Sequence, residues 1–223
     1  AVAARDGDGG VRVEGLSLQL PAGRPLCSDV SFSLEAGQRL LISGASGAGK
    51  TTFVRALAGL WPDGTGSIHL PRSTVVLSQE PYVPEGTLRR VLTFPAAEGA
   101  FDDAAVLGAA RRARLGGVLG AYALDDTADW EAVLSRGEQQ RAAFCRVLLL
   151  RPELAVLDEA TAALDGAAEA ALYGELEAPC VVSVSHRPAV AQWHTHVLRR
   201  GDAEERGGAP VWTFAPLPPG ASP

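Results

Sequence analysis

Three glycines, a lysine and a threonine hydroxyl recur at fixed spacing in Gly44-Ala45-Ser46-Gly47-Ala48-Gly49-Lys50-Thr51, the pattern of a phosphate-binding loop. Glycine tolerates left-handed backbone, so successive N–H groups along 44–49 can turn inward onto phosphate oxygens. A helix opening near Lys50 would add its positive end. Lys50 is then placed to reach the β and γ phosphates, and the Thr51 hydroxyl to complete a Mg²⁺ shell, with Thr52 beside it. The plainer alternative is a glycine-rich strand–helix turn that happens to contain a lysine. The apolar run Leu40-Leu41-Ile42 before the loop and the helical pattern after it favour nucleoside triphosphate binding.

Two carboxylates emerge at the end of a second apolar run, Leu154-Ala-Val-Leu157-Asp158-Glu159. Ligands bind at the C-terminal edge of open α/β sheets. Asp158 suits Mg²⁺, directly or through water, and Glu159 suits polarising a water against a γ phosphate. The alternative is that both acids merely open the segment 160–164. A third constellation, Leu134-Ser135-Arg136-Gly137-Glu138-Gln139, precedes a helix expected over 139–150. Ser135-x-x-Glu138 reads as a capping box, which many helices carry. Gly137 in the first turn costs up to about 1 kcal/mol relative to Ala, which a cap alone does not require. A hydroxyl, an accessible backbone N–H and a helix N-terminus also make a second phosphate-binding surface, suited to a nucleotide held by another copy of the domain.

These groups need a scaffold, and the chain is long enough to supply one. Its 223 residues suit one sizeable domain or two small lobes, burying roughly 70% of the unfolded surface without disulfide or metal staples. Hydrophobic residues make up 47% and charged residues 21%, the composition of an ordered protein. Twenty Lys+Arg against 26 Asp+Glu give a net charge of −6, which argues against a nucleic-acid coat. Cys27, Cys145 and Cys180 lack zinc spacing and read as free thiols in a reducing compartment. No apolar run approaches the ~18 residues of a membrane helix, and no signal peptide opens the chain, so the composition reads as soluble and intracellular. A sequence without Met that begins at Ala1 reads as an excised piece.

Residues 1–10 read as a linker, and 11–34 as a β-meander broken by Pro21-Ala-Gly23 and Ala36-Gly37. Buried strands are expected at 39–43, 74–77, 154–157 and 181–184, and a further strand at 211–214. Helices are expected at about 50–60, 101–121 and 139–150, with 216–223 as a tail. Strands alternating with helices imply a parallel α/β sheet with an antiparallel N-terminal addition.

Loop 44–51, the segment LSRGEQ (134–139) and LDEATAALD (157–165) resemble the nucleotide-binding domain of ATP-binding cassette (ABC) transporters. The intervals fit as well: 29 residues from Lys50 to Gln79, 56 to Ser135, 23 to Asp158 and 28 to His186. The resemblance covers about residues 11–200 and implies a P-loop NTPase (RecA-like) parallel sheet core. An antiparallel N-terminal β subdomain and a small helical subdomain would complete the fold. The implied division is an ATP-binding core at 11–80 and 135–200, a helical subdomain at 81–134, and a C-terminal strand and tail at 201–223. Gln79 matches the family's Q-loop glutamine, which senses Mg²⁺ and faces the membrane domain. Ser135, Gly137 and Glu138 match the signature motif, Glu138 standing where Gln is commoner. Asp165 matches the aspartate at the dimer seam, and His186 the switch histidine near the γ phosphate.

Gly59-Leu-Trp-Pro62, Gln79–Arg89 and Trp130–Arg141 resemble one branch in particular, the subfamily D fatty-acyl half-transporters and their bacterial relatives that import cobalamin or peptide antibiotics. The implied activity is ATP hydrolysis with Mg²⁺, by two copies closing around two ATP molecules, at the cytoplasmic face of a membrane. The implied partners are a second copy and a transmembrane domain fused upstream, with no nucleic acid. A non-transport ABC ATPase of the translation or DNA-repair type is the alternative, though a second cassette or coiled-coil insertion does not fit in 223 residues. A P-loop kinase or plain NTPase has no need of segment 134–141. Most family members stack adenine on an aromatic residue about 25 positions before the loop, where Leu16-Ser-Leu-Gln-Leu20 has none. Weak base discrimination follows as an expectation.

Overall fold

In the computed structural model the described residues are 3–6, 9–45, 47–204 and 210–218. They form two compact units. The first, over 1–76, 152–159 and 178–223, carries β1 (Ala3–Asp6), β2 (Val11–Gln19), β3 (Pro25–Leu34), β4 (Arg39–Ser43), helix α1 (Lys50–Leu57), β5 (Gly64–Leu70) and β6 (Thr74–Leu77). It continues with β7 (Leu154–Asp158), β8 (Cys180–Val184), β9 (His196–Glu204) and β10 (Pro210–Pro216).

Alternation of apolar and polar residues makes β2 half-buried, with Val11, Val13, Leu16 and Leu18 inward and Arg12 and Glu14 outward. It pairs antiparallel with β3 and β5 in a four-stranded sheet, order β1-β5-β2-β3. The linker expected over 1–10 is partly a strand, because β1 pairs in parallel with β5 from Ala3↔Ser67 to Asp6↔Leu70. The second sheet has the order β10-β9-β4-β8-β7-β6. Its centre, β9-β4-β8-β7, is parallel throughout, as the sequence implied. β7 and β8 are buried along their whole length, which explains their unbroken apolar runs. β6 differs from the buried strand expected there: it lies at the sheet edge with Val76 exposed. One core of β2, β3, β4, β7, β8 and α1 side chains joins the two sheets, and Trp212 and Phe214 of β10 pack on it.

The second unit, over 77–151 and 160–177, holds α2 (Leu88–Thr93), α3 (Asp103–Arg112), α4 (Gly116–Ala121), α5 (Trp130–Val133), α6 (Arg136–Leu150) and α7 (Gly166–Glu175). The single helix expected over 101–121 is broken, since Arg114 takes left-handed backbone (φ 61°) between α3 and α4. Helix α6 starts three residues before its expected onset because Ser135 caps it, and it stops at Arg151 (φ 44°) before Pro152. Helix α1 stops at Leu57, short of the expected residue 60, ahead of Gly59 at φ 72°.

Candidate nucleotide-binding site

Strand β4 is buried over Leu40–Ile42 and ends at Ser43, where the chain turns through Gly44 (φ 155°), Gly47 (φ 74°) and Gly49 (φ 86°). Gly49 is the N-cap of α1, and a Cβ there would run into the Leu26 side chain of β3. The loop is thus drawn tight against the core at the point where helix α1 begins. The Ala48 amide donates to the Ala45 carbonyl at 3.2 Å, and Lys50 Nζ donates to the Gly44 and Ala45 carbonyls, each at 2.9 Å. The ammonium therefore lies inside its own loop. Burial pulls its pKa below the usual lysine range, while the charges of Glu159 and Asp158 oppose that shift. Ser46 lies outside the described residues.

Asp158 ends β7 and is buried, with its Oδ1 accepting from the Thr51 hydroxyl at 3.4 Å. Burial raises its carboxyl pKa; the Thr51 bond lowers it, Glu159 raises it, and Arg55 and Lys50 lower it. Thr52 is half-buried in the same helical turn. A hydroxyl and a carboxylate converging here fit Mg²⁺, which takes few protein oxygens and completes its octahedron with phosphates and water. No cluster of three or more His, Cys, Asp or Glu side chains that could hold a metal occurs among the described residues.

Glu159 leaves β7 in the left-handed region at φ 50°, costly for a side chain without the freedom of glycine. Its amide donates to the Val184 carbonyl at 3.1 Å, holding that conformation against β8. Glu159 Oε1 stands 3.0 Å from His186 Nε2, and the Ser185 hydroxyl accepts the Arg187 amide at 3.1 Å in the turn around His186. The parallel strands β4, β7 and β8 thus bring loop 44–52, Asp158, Glu159 and His186 to one sheet edge.

The second unit carries Gln79, Ser135, Gly137, Glu138 and Asp165. Ser135 and Glu138 form a reciprocal capping box. The Ser135 hydroxyl donates to Glu138 Oε2 at 2.6 Å, the Ser135 amide donates to the same oxygen at 2.9 Å, and the Glu138 amide donates to the hydroxyl at 3.3 Å. These bonds hold Glu138 below the usual carboxylate range, led by the Ser135 hydroxyl. A Cβ at Gly137 would meet Leu164 and the Ala163 carbonyl only at ordinary contact distance, so packing within the unit does not demand glycine. Asp165 caps α7, accepting from the Ala168 amide at 2.7 Å. Sequence reading missed Gln140: its amide donates to the Gln79 carbonyl at 3.5 Å and accepts from the Ala163 amide at 3.0 Å. Its partners lie 61 and 23 residues away, and it stands within the polar run Arg136–Arg141, so nothing in the local sequence marks it.

The ABC transporter family profile matches residues 27–162, more than half of the chain. The chain belongs to the ABC transporter family. It is 39% identical over 213 residues to an uncharacterized ABC transporter ATP-binding protein of Synechocystis sp., covering 93% of this chain and 31% of that protein. It is 37% identical over 213 residues to the lysosomal cobalamin transporter ABCD4 of Homo sapiens, covering 88% of this chain and 35% of the relative. It is 31% identical over 253 residues to the chloroplastic ABC transporter D family member 2 of Arabidopsis thaliana, covering 91% and 36%. The chain thus spans about a third of the length of these curated relatives. It is an ABC transporter ATP-binding domain of the D type, and membership in this ATPase family carries ATP binding with it. No helix among the described residues of this ABC domain is long and apolar enough to cross a membrane.

Proposed function

We propose that this domain binds MgATP on residues 44–52 and hydrolyses it, Glu159 acting as the base on the attacking water. The observation that carries the reading is the Glu159–His186 contact of 3.0 Å at the sheet edge that also holds the Lys50 loop. Lys50 exchanges its carbonyl partners for phosphate oxygens, and the backbone N–H groups of the loop, Ser46 included, cradle the phosphates. Thr51 and Asp158 would hold Mg²⁺, and the sensor role of Gln79 rests on its match to the family motif. Mg²⁺ held there would supply Lewis-acid stabilisation of the phosphate charge. His186 holds the Glu159 carboxylate in one orientation, so that its free oxygen meets the water.

Two copies close around two nucleotides, and the Ser135 hydroxyl, the Gly137 amide and Glu138 of one copy complete the site of the other. A glycine that local packing does not demand, at a helix N-terminus, supports that role for residue 137. Asp165 stands at the seam. Residues 11–80 and 135–200 form the ATP-binding core, and residues 81–134 form a helical lobe that contacts a membrane domain fused upstream. The exposed Tyr82 lies in the segment Tyr82–Arg90 that makes this contact. The whole machine works at the cytoplasmic face of a membrane and moves cobalamin, a hydrophilic peptide antibiotic or an acyl compound, the similarity to a cobalamin transporter favouring the first.

Replacing Glu159 with Gln keeps the shape of the side chain and removes the base. Phosphate release should fall at least about a hundredfold while ATP affinity stays within about threefold, because general-base catalysis supplies roughly 10²–10⁴ in rate. Turnover near the wild-type rate would refute Glu159 as the base.

A further inference from the structure

His194 is buried at the end of a 3-10 turn over Pro188–Trp193, on the stretch that leads from His186 back to the start of β9. Both ring nitrogens are engaged. Nδ1 is 2.9 Å from the Val190 carbonyl and Nε2 is 2.9 Å from the Ser183 hydroxyl. A carbonyl can only accept, so Nδ1 carries the proton and Nε2 accepts from Ser183. Burial pushes the imidazole pKa down to about 4, which keeps the ring in that neutral form at ordinary pH.

Ser183 is fully buried in the middle of β8, paired with Leu157 of β7 and Leu41 of β4. Its neighbours Val182 and Val184 face the core around α1, so alternation turns Ser183 to the opposite face of the sheet. The next residue after His194 is fixed too: Thr195 donates its amide to the Arg39 carbonyl at 2.9 Å and accepts the Arg39 amide at 2.9 Å. The chain therefore leaves β8 at Val184, passes His186, and is tied to β8 again through His194. The far end of loop 185–193 is thereby tied to the strand from which the loop departs.

We propose that His194 is a positioning residue: by accepting the Ser183 hydroxyl it sets the path of loop 185–193, and so the reach of His186 to Glu159. This rests on the hydrolytic reading of Glu159 and His186. Asparagine and glutamine separate the two ring bonds, since an asparagine amide reaches only the region of Nδ1 and a glutamine amide that of Nε2. His194→Gln keeps an acceptor for Ser183; His194→Asn keeps only the Val190 side.

The test compares these two variants and Ser183→Ala with the unmodified 223-residue chain. ATP turnover and amide hydrogen exchange of residues 185–193 and 47–57 are measured, exchange being followed without nucleotide. Asn and Ser183→Ala should each lower kcat about tenfold with KM for ATP within twofold, and together no more than either alone. Both should speed exchange at 185–193 at least about fivefold and leave 47–57 unchanged, while Gln retains at least half of the kcat. Equal behaviour of Asn and Gln, a change in KM alone, or unaltered exchange at 185–193 would overturn the proposal. A wild-type chain that shows no turnover would fault the hydrolytic reading instead, and the exchange data alone would then decide whether His194 fixes the loop.

Discussion

At Gly49 two demands coincide: a left-handed backbone at φ 86° and contact with Leu26 that leaves no room for a Cβ. Gly49→Ala must therefore strain the backbone and displace the buried Leu26 side chain. A loss of about 2–4 kcal/mol in stability, together with at least tenfold weaker ATP binding, should appear in urea unfolding and nucleotide titration. Wild-type affinity in that variant would show that the loop geometry is not needed. His194 yields a pH prediction of definite sign. Burial lowers its pKa from the ordinary 6.5 to about 4; the Val190 bond opposes this and the nearby Arg39 charge adds to it. As pH falls, the unfolded chain takes up the proton first. This contribution to stability is whole above pH 6.5 and drains between about 6.5 and 4. The total is about 3 kcal/mol. Unfolding midpoints at pH 7 and pH 5 should diverge more for wild type than for His194→Gln, and equal divergence would contradict the assignment.

Helix α6 shows how an element can be organised from within by a few polar side chains. Gln139 donates to the carbonyls of Glu131 and Leu134, each at 2.9 Å, just ahead of the Ser135 cap. Arg146 is buried and donates to the Tyr82 and Val91 carbonyls at 2.8 Å, and its guanidinium lies 5.6 Å from the Phe94 ring centre. Burial lowers its pKa to about 10, so it remains charged at neutral pH. Arg146→Ala strands two carbonyls and opens a void, and should cost about 3 kcal/mol by urea unfolding. A cost below about 1 kcal/mol would mean that water replaces the guanidinium. Strand β2 yields a different expectation, because Leu16 and Leu18 are buried in the core and no aromatic ring stands beside them in that stretch. ATP and GTP should bind within about tenfold of each other in competition titrations; a hundredfold preference for ATP would refute this. Legibility followed the strength of local pattern. β4, β7 and β8 were readable because burial on both faces leaves unbroken apolar runs, and loop 44–51 because its spacing is itself the chemistry. β5 was not, since GTGSIHL buries only Ile68 fully, and neither was β9, whose Arg199-Arg200-Gly-Asp stretch hides its pairing with β4 and β10. Helices α2 and α5 were too short, at six and four residues, for a helical period to show, and the alanine-rich α7 lacked a clear apolar stripe. Gln140 and His194 were invisible for another reason: each acts through partners that only the fold brings near.

On the scale of the whole chain, the candidate groups divide between the two units. The phosphate loop, Asp158, Glu159 and His186 belong to the first; Gln79, the capped Ser135 helix and Asp165 belong to the second. A domain that hydrolyses ATP alone has no use for Gly137 at the head of α6, whereas a domain that completes its partner's site does. The central claim is that two copies share each nucleotide, and light scattering on Glu159→Gln tests it most directly. With saturating MgATP the mass should rise from 23.2 kDa to about twice that value, return on removal of nucleotide, and fail to rise when Ser135 and Gly137 are also replaced by bulky residues. Glu159→Gln that binds ATP yet stays at the mass of one chain would contradict the account.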